Sequence, residues 1–235
     1  IGGAGCVFLK PFADRFGLKL VSVNAEPSGY LAREPEPRPR SAQHLASFIE
    51  HVDGDIGFVL NSDVARVSIV TEEGEQASEE YSFAVVADHV LQRQPGVVVT
   101  NTCASRMVDD VAARHRAQLV KTRVGQAYVV ALLADEQGVL GGEGSGSVVL
   151  PLFSQGFDGF LMMAIILESM AQSGRRASEL LRALPKYHII KHRRPCDAHA
   201  AYHAVDSIGG RLSEWEGGTK ESSDGIRIDW EDGWV

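Results

Sequence analysis

The sequence is short of cysteine, of positive charge and of long apolar runs, and each shortage closes off a class of protein. Its three cysteines, Cys6, Cys103 and Cys196, are odd in number and far apart. They offer neither a disulfide framework nor a CxxC zinc pair. A reducing cytoplasm is the expected setting for such usage. The longest uninterrupted apolar run, Phe160 to Leu167, has eight residues, against about 20 needed to cross a bilayer. No charged-then-apolar leader stands at the front. The net charge is −8 and the pI about 5.5, so no basic face is expected to displace counterions from nucleic-acid phosphates. There is no long internal repeat and no low-complexity block. The chain opens at Ile1 without a methionine and stops at Trp234-Val235 within an apparent strand pair, so both ends are expected to continue in a longer protein.

What is present reads as strands alternating with helices. The 235 residues are 44% hydrophobic, enough for one large core or two small ones. Ser41 can cap a helix in which Leu45, Phe48, Ile49 and Val52 recur at helical spacing. Asp55 to Leu60 is mostly apolar and of strand length, typical of a buried strand in a parallel sheet. A polar loop, Asn61 to Arg66, leads to a second strand, Val67 to Thr71, and Glu72-Glu73-Gly74 turns the chain. A helix follows from Glu79 to Arg93, broken by Pro95-Gly96. Next come a strand at Val97 to Thr100, a helix from Ser105 to His115 and a strand at Gln118 to Lys121. Gly138 to Gly146 reads as a glycine-rich loop between short strands. Asp158 caps the most apolar helix, Gly159 to Ser173, which Gly174 stops, and a short helix from Ser178 ends at Pro185. In the tail, Ile226, Ile228 and Trp230 alternate with Arg227 and Asp229 before Asp232-Gly233, a strand and hairpin turn. Pro27 to Pro39 holds four prolines and reads as a stiff connector. The alternation predicts the α/β class.

Ligands of open α/β sheets bind beyond the carboxyl ends of the strands, which singles out two loops. Asn61-Ser62-Asp63-Val64-Ala65-Arg66 follows the buried strand. Gly141-Gly142-Glu143-Gly144-Ser145-Gly146 is neither a P-loop, having no Gly-Lys-Ser/Thr, nor a GxGxxG. Its glycines let backbone approach a ligand, and Glu143 and Ser145 can reach neighbouring hydroxyls of a sugar. The competing readings are a plain tight turn at 141–146 and an ordinary strand-to-strand turn at 61–66.

The order of these segments resembles the alpha-D-phosphohexomutase superfamily of phosphoglucomutase, phosphomannomutase and phosphoglucosamine mutase. Gly3-Ala4-Gly5, Asn24 to Gly29 and Pro35-Glu36-Pro37 are similar to its second domain. Asp55-Ile56-Gly57 and the loop ending in Arg66 fall where the family carries its metal loop. Thr122-Arg123-Val124-Gly125, Gly141 to Gly146, Asp158-Gly159 and Leu184-Pro185-Lys186-Tyr187 resemble its third domain, and Asp224-Gly225-Ile226-Arg227 through Trp234 the start of its fourth. The resemblance implies two consecutive α/β/α three-layer domains with mixed sheets, followed by part of a smaller α+β domain. Their expected bounds are 1–72, 73–188 and 189–235. It implies an isomerase that moves a phosphoryl group within a hexose or aminohexose phosphate through a phosphoserine in the first domain, with Mg²⁺ neutralising charge. Arg66 is then the catalytic residue that touches phosphate. Glu143, Gly144 and Ser145 bind the sugar, with Arg123 and Gln126 at the rim. Gly-Glu-Gly leans towards the phosphoglucosamine and phosphomannose branch.

Two departures stand against full activity. The family's metal loop carries three aspartates at alternate positions, whereas here they are Asn61, Asp63 and Ala65. One carboxylate and one amide oxygen make a poor octahedron, so Mg²⁺ binding at Asp63 and Asn61 is expected to be weak. The serine segment and the final phosphate loop are absent, so these residues alone are not expected to turn over substrate. The alternative reading is a non-catalytic sugar-phosphate-binding module. His188/His192 and His199/His203 are spaced for a helix but lack a third ligand. Lys186, Lys191, Arg193 and Arg194 form a basic run best read as a solvated connector, and Met162, Met163 and Met170 as core.

Overall fold

A computed structural model of the chain describes residues 2–192, 194–215 and 217–235. Helices α1 (Gly5–Phe16) and α2 (Pro39–Ile49) precede an antiparallel pair, β1 (Ile56–Leu60) and β2 (Val67–Thr71), with Phe58 opposite Ile69. Next come α3 (Glu79–Leu91), β3 (Val98–Asn101), α4 (Met107–Arg114), β4 (Leu119–Thr122), α5 (Gln126–Asp135), β5 (Leu140–Glu143) and β6 (Ser147–Val149). Helices α6 (Gly159–Ser173), α7 (Ala177–Arg182) and α8 (Ala198–Gly209) lead to a small antiparallel pair, β7 (Thr219–Glu221) and β8 (Arg227–Asp229). The larger sheet has the order β4-β3-β5-β6, with β3 parallel to β4 and β5, and β6 antiparallel to β5.

Side chains alternate between the two faces of a strand, and the buried residues sort accordingly. Val98, Leu140 and Val148 face α3 and α6, whereas Val99 and Val149 face Val129 and Leu133 of α5. The larger sheet is thus covered on both faces. On β1 and β2, Leu60, Val67 and Ile69 point towards α3 and α6, while Val59 and Val70 meet Ala42, Ala46 and Ile49 of α2. Helices α3 and α6 therefore lie between the two sheets and serve both. This explains why ten of the thirteen residues of α3 are buried, Glu80, Ser82 and His89 among them. One cluster of buried side chains runs from Leu9 and Leu60 through α3 and α6 to Leu184.

Local signals held where a cap or stop is chemically explicit. Asp158 caps α6 by accepting the Leu161 amide at 3.0 Å, and Gly174 ends it in the left-handed conformation. Elsewhere the boundaries move. Helix α2 starts at Pro39, a residue suited to the first helical turn, so Ser41 lies inside it and binds the Glu36 carbonyl at 2.7 Å. Gly141, Gly142 and Glu143 are strand, not loop. A Cβ at Gly142 would overlap the Phe83 ring, so the glycine buys helix-to-sheet contact. Ile189 and Ile190 lie in irregular chain. Helices α1, α5 and α8 were not read from the sequence. Helix α1 contains Pro11, a residue that argues against helix interiors, and α8 buries no side chain at all.

Among the described residues no helix is long and apolar enough to cross a membrane. A cavity of about 290 Å³ lies under α1, α2 and β1, lined by Phe12, Leu20, Leu45, Phe48 and Phe58 among others. None of the site residues expected from the sequence lines it.

Candidate functional site

The carboxyl end of β5 carries Glu143, which is 4% exposed. Its Oε1 accepts the Gly125 amide at 2.8 Å. Gly125 has φ +134, a conformation that favours glycine, and it immediately precedes α5. The carboxylate thus sits on the amino end of a helix, where backbone dipoles favour negative charge. Gly144 packs on the Glu80 carboxylate so closely that a Cβ would overlap it. Ser145 is the residue of 141–146 that is not fully buried, and its hydroxyl lies 3.4 Å from Ser147 Oγ.

The second loop meets the first through backbone. The Val67 amide donates to the Gly146 carbonyl at 2.7 Å, and the Gly159 amide to the Val64 carbonyl at 2.7 Å. Residues 61–67 and 143–146 are therefore joined through their backbones. Their side chains are placed differently. Arg66 Nη1 is 2.6 Å from Glu36 Oε2 of the proline-rich connector. Asn61 Oδ1 accepts the Arg66 amide at 3.0 Å, and Asp63 Oδ1 accepts the Ala65 amide at 3.1 Å. These oxygens hold the turn itself.

That donor set does not fit magnesium. The Asn61 oxygen is engaged and 61 is buried, Ala65 offers no ligand, and a single carboxylate remains. Among the described residues no group of three or more His, Cys, Asp or Glu could hold a metal. His199 and His203 do share α8, where His203 Nδ1 lies 3.4 Å from Ser207 Oγ. His188 and His192 lie in irregular chain.

At the rim, the Arg123 guanidinium lies 5.9 Å from the centre of the Tyr128 ring, and Gln126 opens α5. The structure adds charged groups that sequence reasoning passed over. Arg227 is 5% exposed and makes a two-pronged pair with Asp229 at 2.6 and 2.7 Å. The same guanidinium donates to the Thr102 carbonyl at 2.5 Å and the Ala104 carbonyl at 3.1 Å, in the turn after β3. The hydrogen bonds from Arg227 hold the Asp229 carboxyl below its usual range. Asp224 Oδ2 accepts the Val124 amide at 2.6 Å. The β7–β8 segment is thereby pinned to the carboxyl end of the larger sheet. The signal was available: Arg227 alternates with Ile226 and Ile228, and β8 lies flush against protein. Lys191 stays half exposed in the connector, yet it pairs with Glu79 at 3.0 Å and with Glu80 at 2.9 Å. The two acidic side chains start a helix far away in sequence, so no local pattern announces the pair. Arg193 of that basic run lies outside the described residues.

Residues 78–187 match the family model described as phosphoglucomutase/phosphomannomutase, alpha/beta/alpha domain III. A phosphoglucomutase/phosphomannomutase of Thermococcus kodakarensis is 35% identical over 99% of this chain and 51% of its own length. A Methanopyrus kandleri protein named "probable phosphoglucosamine mutase" is 32% identical over 97% of this chain and 51% of its own. The chain spans about half the length of these curated relatives. A crystal structure of a phosphoglucomutase/phosphomannomutase family protein from Burkholderia thailandensis superposes with a TM-score of 0.88 at 23% identity, over 99% of this chain and 50% of that one. That likeness speaks for the fold.

Proposed function

This chain belongs to the alpha-D-phosphohexomutase superfamily, and on that premise we propose that it forms the sugar-holding part of a sugar phosphomutase. Its substrate class is a hexose or aminohexose phosphate, in a reaction that moves the phosphoryl group from one position of the sugar to another. Residues 1–72 and 73–188 form the second and third domains of that enzyme, and 189–235 begin the fourth. A reducing, cytoplasmic setting suits the three unpaired cysteines.

The observation that carries this reading is the junction of the two loops at the Val67–Gly146 hydrogen bond, 2.7 Å long. On this reading the junction ties the segment carrying Glu143 and Ser145 to the one carrying Arg66, so that a carboxylate, a hydroxyl and an arginine serve one ligand. Glu143 is held in one orientation by the Gly125 amide, so it can accept from a sugar hydroxyl without first being ordered. Ser145 adds a hydroxyl that donates or accepts. Such contacts suit a substrate that binds in two orientations, because they address hydroxyls present in both. Arg66 reaches phosphate by exchanging Glu36 for it, an exchange of one anion for another. Arg123 and Gln126 close the rim. The phosphoryl donor is a phosphoserine of the family type, and this sequence holds no Ser-His-Asn-Pro segment. Holding and charge matching are the contributions expected of this part of the enzyme.

The test is titration calorimetry of the chain with glucose 1-phosphate, mannose 1-phosphate and glucosamine 6-phosphate. Saturable binding of at least one sugar phosphate, weakened by Glu143→Gln, is expected. Failure of all three to bind would defeat the proposal. A second reading, a non-catalytic sugar-phosphate-binding module, is favoured by the loop at 61–66, where Asn61 and Asp63 satisfy backbone amides. Turnover by the protein joined to a phosphoserine-bearing first domain separates the two.

A further inference from the structure

Glu80 is a buried carboxylate that the proposed sugar contacts do not use. It stands in the first turn of α3, behind the Ser78 cap, where a helix favours negative charge. Its Oε2 accepts the Ser105 amide at 3.0 Å, in the turn after β3. Its Oε1 faces Lys191 Nζ at 2.9 Å, and Glu79 Oε1 takes the same ammonium at 3.0 Å. Among the described residues Oε1 has no well-aligned hydrogen bond, so the contact to Lys191 is one of charge. The carboxylate also backs directly onto Gly144, where any Cβ would overlap it. Burial pushes the Glu80 carboxyl up, against the pull of Lys191. Burial likewise opposes charge on Lys191, yet Glu80 and Glu79 hold its pKa above the usual lysine range.

Lys191 belongs to the irregular chain between α7 and α8, on the way to the β7–β8 segment. That segment grips the same turn after β3 from another direction, through Arg227 on Thr102 and Ala104. We infer that Glu80 is a positioning residue for the Glu143-Gly144-Ser145 turn, and that Lys191, by neutralising it, couples the placement of the C-terminal segment to that turn. What the turn holds rests on the sugar-binding reading above. The coupling itself does not.

The experiment is Lys191→Met in the full chain, followed by amide hydrogen exchange and by titration with glucosamine 6-phosphate. Leaving a buried carboxylate without its cation costs more than removing both charges. Exchange at 143–146 and at Ser105 is expected to rise about tenfold or more, with α2 unchanged, and binding to weaken about tenfold. The double variant Glu80→Gln/Lys191→Met is expected to restore both, since the amide oxygen still accepts from Ser105 and needs no cation. A contact that merely stabilises the fold would raise exchange in α2 as well. The inference is overturned if Lys191→Met leaves exchange at 143–146 unchanged, if exchange rises equally in α2, or if the double variant is no tighter than the single one. Should the exchange pattern hold while the unmodified chain binds no sugar phosphate, the coupling stands and the sugar-binding reading falls.

Discussion

The two loops that meet at the Val67–Gly146 hydrogen bond spend their polar groups in opposite ways. At 61–66, Asn61 and Asp63 turn their oxygens onto the loop's own amides, and Arg66 is matched by Glu36. At 142–146, Gly142 and Gly144 leave the backbone tight against Phe83 and Glu80, while Glu143 is steadied by a neighbouring loop. One loop is closed upon itself, and the other is braced from behind. The difference teaches that alternate positions of a single turn can hold its geometry while offering different chemistry outward. Position 61 still shapes the turn as Asn, but position 65 as Ala gives a ligand nothing to hold.

The largest effect should come from attacking the brace. Gly144→Ala forces a methyl into the Glu80 carboxylate, an overpacking that costs about 1–3 kcal/mol. It should lower the unfolding midpoint in thermal melts and abolish sugar-phosphate binding. Glu143→Gln keeps an oxygen for the Gly125 amide but removes the charge. Hydrogen bonds to charged groups are worth about 1.5–3 kcal/mol, so affinity by calorimetry should fall about 10- to 100-fold while the melt hardly moves. A smaller change is expected on the closed loop. Placing carboxylates there with Asn61→Asp and Ala65→Asp should raise Mg²⁺ affinity about tenfold or more over that of the unmodified chain. Were the unmodified chain to bind Mg²⁺ tightly and lose it on Asp63→Ala, the contrast between the loops would disappear.

The smallest effect concerns pH. Arg227 holds Asp229 below its ordinary carboxyl value of 3.8. A depressed carboxyl contributes stability that is present above the ordinary value and is lost as pH falls through the depressed one. Acidification below about pH 4 should therefore loosen the β7–β8 segment. Trp234 packs against Arg227, with the guanidinium 5.5 Å from its ring centre, so tryptophan fluorescence should report the change. Arg227→Met should erase that step.

Much of the fold was legible because it depends on local chemistry. Asp158 and Gly174 bracket α6 with a side-chain cap and a left-handed stop, which are properties of single residues. The apolar run at 56–60 announced a strand, but not its pairing: it runs antiparallel to β2 in a two-stranded sheet, not in the parallel sheet that such a run suggests. Sharing of α3 and α6 between two sheets was not legible, since an apolar stretch of helix tells that it is buried but not by what. The site divides along the same line. Glu143 and Ser145 stand out as polar residues among glycines. The Glu80–Lys191 and Arg227–Thr102 contacts join residues more than a hundred positions apart, and no pattern in a short window can encode such pairs. Arg66 was assigned to phosphate from its place in the loop, and its pairing with Glu36 became visible only with the connector folded against it.

The most direct measurement follows backbone amide chemical shifts while the chain is titrated with glucosamine 6-phosphate. Shifts at 62–67 and at 143–146 that move together and saturate with one dissociation constant are the predicted result. Shifts confined to one of the two loops, or two separate dissociation constants, would contradict the account of a shared edge.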